Sequence, residues 1–170
     1  MDELSGRDPA EIAAAVVADP PLIASLLDAM LQDDERIQAQ GAEAAELAAR
    51  ERPELLAPHA DALIGAARTA RGADTRRNVA QMLARVELSD ERAAEATEVL
   101  ERYLADGDLG VEAWALSAIV ALANDHAALR DRARELVHAR IDDGAPALRE
   151  RARLLLDQAD SWPSAGSGSS

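Results

Sequence analysis

The sequence predicts an all-α protein, an α-solenoid of about four antiparallel helix hairpins behind a short N-terminal capping helix. Three observations point there. Apolar residues recur at helical spacing between breaks of Pro, Gly and Asp, and no apolar/polar alternation runs far enough to make a strand. The connections are short, about two to five residues, which suits antiparallel neighbours rather than long crossovers. With no Phe, one Tyr and two Trp in 170 residues, the core volume has to come from Leu, Ile, Val and Ala, which let helices pack closely.

Taken in order, Pro9 to Ala18 makes the capping helix, and residues 1–20 form the cap and lead-in. Helices follow over 21–32 and 34–51, parted by little more than Asp33. The next segment, 53–70, carries Pro53 and Pro58. A proline in the first turn costs nothing, because that N–H has no partner in any helix. The expectation is a local turn from Pro53 to Ala57 and then a kink at Pro58; the other arrangement is two helix starts in succession. A helix over 74–88 follows Gly72, and Ser89 is placed as N-cap of a helix over 90–106. The stretch "DGDLG" (106–110) breaks the chain before 111–124, Asp125 caps 126–142, and "DGAP" (143–146) turns into 147–160. The repeat domain thus spans 21–160, and 161–170, "SWPSAGSGSS", forms a flexible Ser/Gly tail.

An internal repeat underlies this order. "AAELA" (44–48), "AQMLA" (80–84) and "IVALA" (119–123) come into register through Leu47, Leu83 and Leu122, with offsets of 36 and 39 residues; "ARLLL" (152–156) is a weaker fourth copy. Each hairpin can bury only one flank against itself, so its other flank stays apolar until a neighbouring hairpin covers it. Alanine at the inner positions sets the spacing and leucine fills it. This register, the repeat length and above all "ELAARERPELLAPHADALI" (46–64) resemble HEAT and adaptin-like helical repeats, an armadillo-type architecture in which a proline recurs near the start of the outer helix. The resemblance covers about residues 20 to 160, although the outer helices near 90 and 126 lack the proline. It implies a scaffold with a curved inner wall.

Charge narrows the function. Against 32 acidic residues stand 18 basic ones, all of them Arg, for a net charge of −14. An acidic, strongly hydrated surface without Lys suits a salt-rich cytoplasm, while a GC-rich genome is the other source of Arg in place of Lys. Neither a nucleic-acid backbone nor an anionic membrane is matched by such a surface. Without Cys there is no disulfide or thiolate site, and the apolar run of Ile12 to Ala18 is too short for a signal peptide or a membrane span, so a soluble cytoplasmic protein is expected.

No catalytic, cofactor-binding or metal-ligating residue is predicted. His126 and His138 fall about 120° apart on their expected helix and cannot share an ion, and His59 stands alone. Asp106, Asp108 and Glu112 resemble the beginning of a calcium loop but lack its further ligands, and read as turn and N-cap acidity. Arg68, Arg71, Arg76 and Arg77 flank one turn, where they either converge on a phosphate or a partner's carboxylates or are satisfied by neighbouring acids. Arg149, Arg151 and Arg153 point in several directions along one helix and read as solvated. Trp114, on an inner helix, either packs into the core or anchors a partner on the concave side, together with Gln81 and Arg77.

The leading expectation is therefore a non-enzymatic protein–protein interaction scaffold or adaptor. Its partner is another protein held on the inner-helix surface, with Arg68, Arg71, Arg76, Arg77, Gln81 and Trp114 as candidate contacts and no cofactor. Two other classes compete. One is a nucleic-acid or DNA-repair-related helical-repeat protein, which the scarcity of basic and aromatic residues disfavours. The other is a self-associating structural domain with Leu154, Leu155 and Leu156 exposed at an uncapped end, so the chain is expected to be a monomer or a weak homo-oligomer.

Overall fold

A computed structural model describes residues 7–163; residues 164–170, most of the expected Ser/Gly tail, lie outside the described residues, as do residues 1–6 of the lead-in. Among the described residues there are nine α-helices and no strand. They are α1 (Pro9–Ala18), α2 (Ile23–Met30), α3 (Glu35–Glu51), α4 (Ala60–Thr69), α5 (Ala73–Leu83), α6 (Asp90–Tyr103), α7 (Leu109–Asp125), α8 (Arg130–Asp143) and α9 (Pro146–Asp160). No helix among the described residues is long and apolar enough to cross a membrane.

Side-chain caps open four of the helices. Carboxylates of Asp8, Asp34 and Asp108 accept hydrogen bonds from the otherwise unpaired backbone N–H groups that open α1, α3 and α7, and the Ser89 hydroxyl accepts from Arg92 N at the start of α6. Three expectations need correction. No kink occurs at Pro58: two 3₁₀ turns, Pro53–Leu55 and Ala57–His59, precede α4, which begins only at Ala60. The cause is burial of Leu55 and Leu56, the latter completely, because a helix running on from Pro53 would also face the missing N–H of Pro58. Asp125 does not cap α8, since His126 N still bonds to Leu122 O and Asp125 closes α7. The segment expected to end at residue 88 stops being helical at Leu83; beyond it Val86 turns inward and Arg85 reaches across to Glu46.

Packing follows a regular order. α3 lies against α1, α2 and α5; α5 against α7; and α7 against α9, while α2 lies against α4 and α4 against α6. Helices two apart in the order thus touch from α1 to α9 in the odd-numbered series and from α2 to α6 in the even-numbered one, and most also touch the next helix along the chain. Close approach depends on small residues. Ala42, Ala44, Ala45, Ala48 and Ala49 of α3 are all buried, and a Cβ on Gly41 would sit 3.0 Å from Leu26 O and 3.1 Å from the Ala29 Cβ, so any larger residue there would require α2 to shift away from α3. A single continuous core runs from Ile12 to Trp162.

Polar contacts also join segments distant in the chain, at separations from 22 to 39 residues. Arg52 Nη1 donates to Val17 O, Tyr103 Oη to Ala67 O, Arg140 Nη2 to Leu104 O and Trp162 Nε1 to Asn124 Oδ1, while His126 meets Asp90 and Arg85 meets Glu46; the partners stand 35 to 39 residues apart. Trp162, at 9% exposure, is thus part of the core and not of a loose tail.

Candidate partner-binding groove

Helix α3 offers one polar stripe along its length. Arg36, Gln40, Glu43, Leu47 and Arg50 follow at intervals of three or four residues, so they share a face. Beside them stand Asp74, Arg77, Asn78 and Gln81 of α5, with Trp114 of α7 at one border and Pro9 of α1 at the other. Together they line an open groove of about 830 Å³.

Charges in this groove are arranged rather than scattered. Glu46 is 2% exposed in the wall, where it accepts from Arg50 Nη2 at 2.7 Å and from Arg85 Nη1 at 2.7 Å. Two guanidinium groups on one carboxylate satisfy its burial, and they bolt α3 to the end of α5. Arg77 pairs with Asp74 one turn earlier and lies across Gly110 of α7, where a Cβ would come within 2.9 Å of Arg77 Cδ. A side chain at 110 would push Arg77 out of this position. Trp114 is half-buried, and the guanidinium carbon of Arg151 stands 5.5 Å from its ring centroid, a cation–π contact that fixes the border of the groove.

The expected contacts divide into two sets. Arg77, Gln81 and Trp114 come together in the groove. Arg68, Arg71 and Arg76 do not join them: Arg68 pairs with Glu95 at 2.7 Å, Arg71 with Asp33 at 2.9 Å and Arg76 with Asp106 at 2.7 Å, each on a different neighbour. Positions adjacent in sequence around a turn diverge in direction, so the apparent cluster dissolves into ion pairs. The Arg68 guanidinium beside Glu95 holds that carboxyl below its ordinary range. Asp108 caps α7 and Glu112 accepts from Gly107 N, which makes the acidic turn a capping device. His126 meets Asp90 at 2.6 Å and His138 meets Asp160 at 3.2 Å. Of the three leucines near the end of α9, Leu154 is 72% exposed, whereas Leu155 and Leu156 pack partly against the core.

Sequence reasoning missed Arg36, Gln40, Glu43, Glu46 and Arg50. Their signal was the repeat of polar residues at three- and four-residue spacing along α3, on the side opposite its alanines. No protein-family model matches the chain, and neither a curated protein nor a solved structure matches it.

Proposed function

We propose that the chain is a HEAT-like α-solenoid of about four antiparallel helix hairpins behind a capping helix, and that it works as a non-enzymatic protein–protein interaction scaffold. The partner lies on the inner face, along α3, α5 and α7. The architectural part of this reading is supported by the order of helix contacts, α3 on α5, α5 on α7 and α7 on α9, and by polar ties of which several span 35 to 39 residues and the others 22 to 33. In a stack each hairpin touches only its neighbours, so contacts recur at the repeat length. The offsets of 36 and 39 residues in the sequence are of that size.

One observation carries the binding part. Among the described residues the side chains of Arg36, Asn78 and Gln81 make no hydrogen bond or ion pair, yet all three line the same groove next to a half-buried tryptophan. Hydrogen-bonding groups without partners beside an aromatic anchor match the make-up of a protein–protein contact. The test is selection of displayed random peptides on the folded protein. Sequences should be enriched whose binding is lost in Gln81→Arg, a variant that fills the groove and leaves the circular dichroism unchanged. If no sequence is enriched, or if the enriched ones bind the variant equally well, the reading fails.

A further inference from the structure

We infer that the groove between α1 and α2 seats a second copy of this chain, the two copies meeting face to face across a two-fold axis. The inference goes beyond the scaffold reading and does not depend on it. Helices α1 and α2 make their contacts with α3, α4 and the turn that joins the two, while α8 and α9 make theirs with α7, the turn before α8 and each other, so the two pairs stand at opposite ends of the packing order. A helix pair at such an end has one flank that no further helix covers, and a polar flank keeps it stable in water. The α8–α9 end has one: Asp131, Glu135 and Asp142 of α8 and Glu150, Arg153 and Asp157 of α9 are exposed, and Leu154 is the one large apolar side chain exposed there. The α1–α2 end differs. Glu11 is the only charged residue of α1 and Asp28 the only one of α2, and Ala10, Ala14, Ala18 and Ala24 are exposed.

Between these two helices an open groove of about 600 Å³ runs over α3. Ile12 and Val16 of α1, Leu26 of α2 and Ile37 of α3 line it, together with Leu22 and Leu31. The last two are 41% and 44% exposed, and a surface of this kind gains by being covered. Charge indicates by what. Arg7 and Asp28 line the same groove, and neither side chain has a hydrogen bond or ion pair among the described residues. Gln40 Nε2, donating to Arg7 O at 2.9 Å, holds the chain at Arg7 against α3. One such cation and one such anion on a single face balance, so the face favours neither an acidic nor a basic partner. It does match itself. Across a two-fold axis, where one residue meets a second, the second meets the first, so Arg7 of each copy faces Asp28 of the other and both pairs form together. The polar α8–α9 flank leaves a head-to-tail row without its second face. Helices α1 and α2 have only 10 and 8 residues, so the contact is small and the dimer weak, with a Kd on the order of 0.1 mM.

The experiment is sedimentation equilibrium of the full chain at about 0.15 M salt, where charges more than about 8 Å apart are screened. The mass should rise from monomer toward dimer between about 10 µM and 1 mM, with no larger species. Leu22→Glu places a carboxylate from each copy in the contact and should weaken it by at least about tenfold. Arg7→Asp and Asp28→Arg each turn two attractive pairs into repulsive ones and should weaken it by about tenfold, while the double variant Arg7→Asp/Asp28→Arg should recover it. Leu154→Glu should leave it unchanged. All four positions are exposed, so the variants should keep the melting curve of the natural chain. The inference is overturned if the chain stays monomeric up to about 1 mM, if Leu22→Glu associates as the natural chain does, or if the double variant is as weak as the single ones. It is equally overturned if Leu154→Glu dissolves the dimer, which would move the contact to α9, or if a monomeric chain binds an apolar fluorescent dye that Leu22→Glu releases, which would give the groove to a different occupant. None of these outcomes bears on the peptide selection, which alone tests the scaffold.

Discussion

The surface along α4, α6 and α8 and the groove along α3 and α5 carry the same residue types and use them differently. Among α4, α6 and α8, Arg92 reaches Asp61, Arg68 reaches Glu95 and Arg132 reaches Glu101, all at 2.7 Å, and each pair joins two of these helices. In the groove, Glu46 is buried under two arginines, Asp74 is held by Arg77, and Arg36, Asn78 and Gln81 are left without partners among the described residues. The number of arginines therefore does not locate a binding face. What distinguishes one is how many of them the protein's own carboxylates already hold.

This contrast can be broken most severely at Glu46. Replacing it with Ala removes a buried carboxylate and leaves Arg50 and Arg85 facing each other, at an expected cost of about 2–3 kcal/mol, because the two guanidinium groups are only partly able to turn to water. The urea midpoint should fall with the slope unchanged. A loss below about 0.5 kcal/mol would show that the pair of ion contacts adds nothing to the wall.

A smaller effect is expected at Tyr103, which is buried at the end of α6 and donates to Ala67 O of α4 at 2.6 Å. Tyr103→Phe leaves that carbonyl without its partner and should cost about 1–2 kcal/mol. Burial raises the phenol well above its ordinary value of 10.0, so the folded state holds this proton more tightly than the unfolded one. The contribution is fully present below that ordinary value and is lost as pH climbs above it. Stability measured across the alkaline range should decline in the natural chain and decline less in the phenylalanine variant. Equal slopes would mean that another group governs the alkaline limb.

The mildest changes sharpen the comparison. Arg132→Ala removes an exposed outer ion pair and should alter stability by about 0–1 kcal/mol. Arg36→Ala, with no pair to lose, should stay within about 0.5 kcal/mol of the natural chain. Thermal melts of the two variants check both values. If Arg36→Ala costs more than about 1 kcal/mol, the groove arginine is structural after all.

Much of the helix order was legible because the signals are local. Asp34 and Ser89 mark helix starts through a side chain and a backbone N–H two or three residues on, a contact that depends on nothing distant. Pro58 and Asp125 misled because the outcome there is set from outside. Leu55 and Leu56 are buried where two 3₁₀ turns stand in place of a kink, and His126 is held by Asp90 of α6. At the site, Arg77, Gln81 and Trp114 could be read as inner-helix positions. Arg68, Arg71 and Arg76 were grouped with Arg77 only because they are near it in sequence, and residues bracketing a turn point to different neighbours.

By itself, then, the sequence determined the all-helical class, most of the helix starts and the inner alanine and leucine positions, since propensity, capping and periodicity act over a few residues. Tertiary structure alone decided which arginines remain available. That outcome depends on carboxylates brought in from other helices, as with Arg85 on Glu46 of α3 or Arg132 on Glu101 of α6, and the chain separation gives no sign of it until the helices are packed.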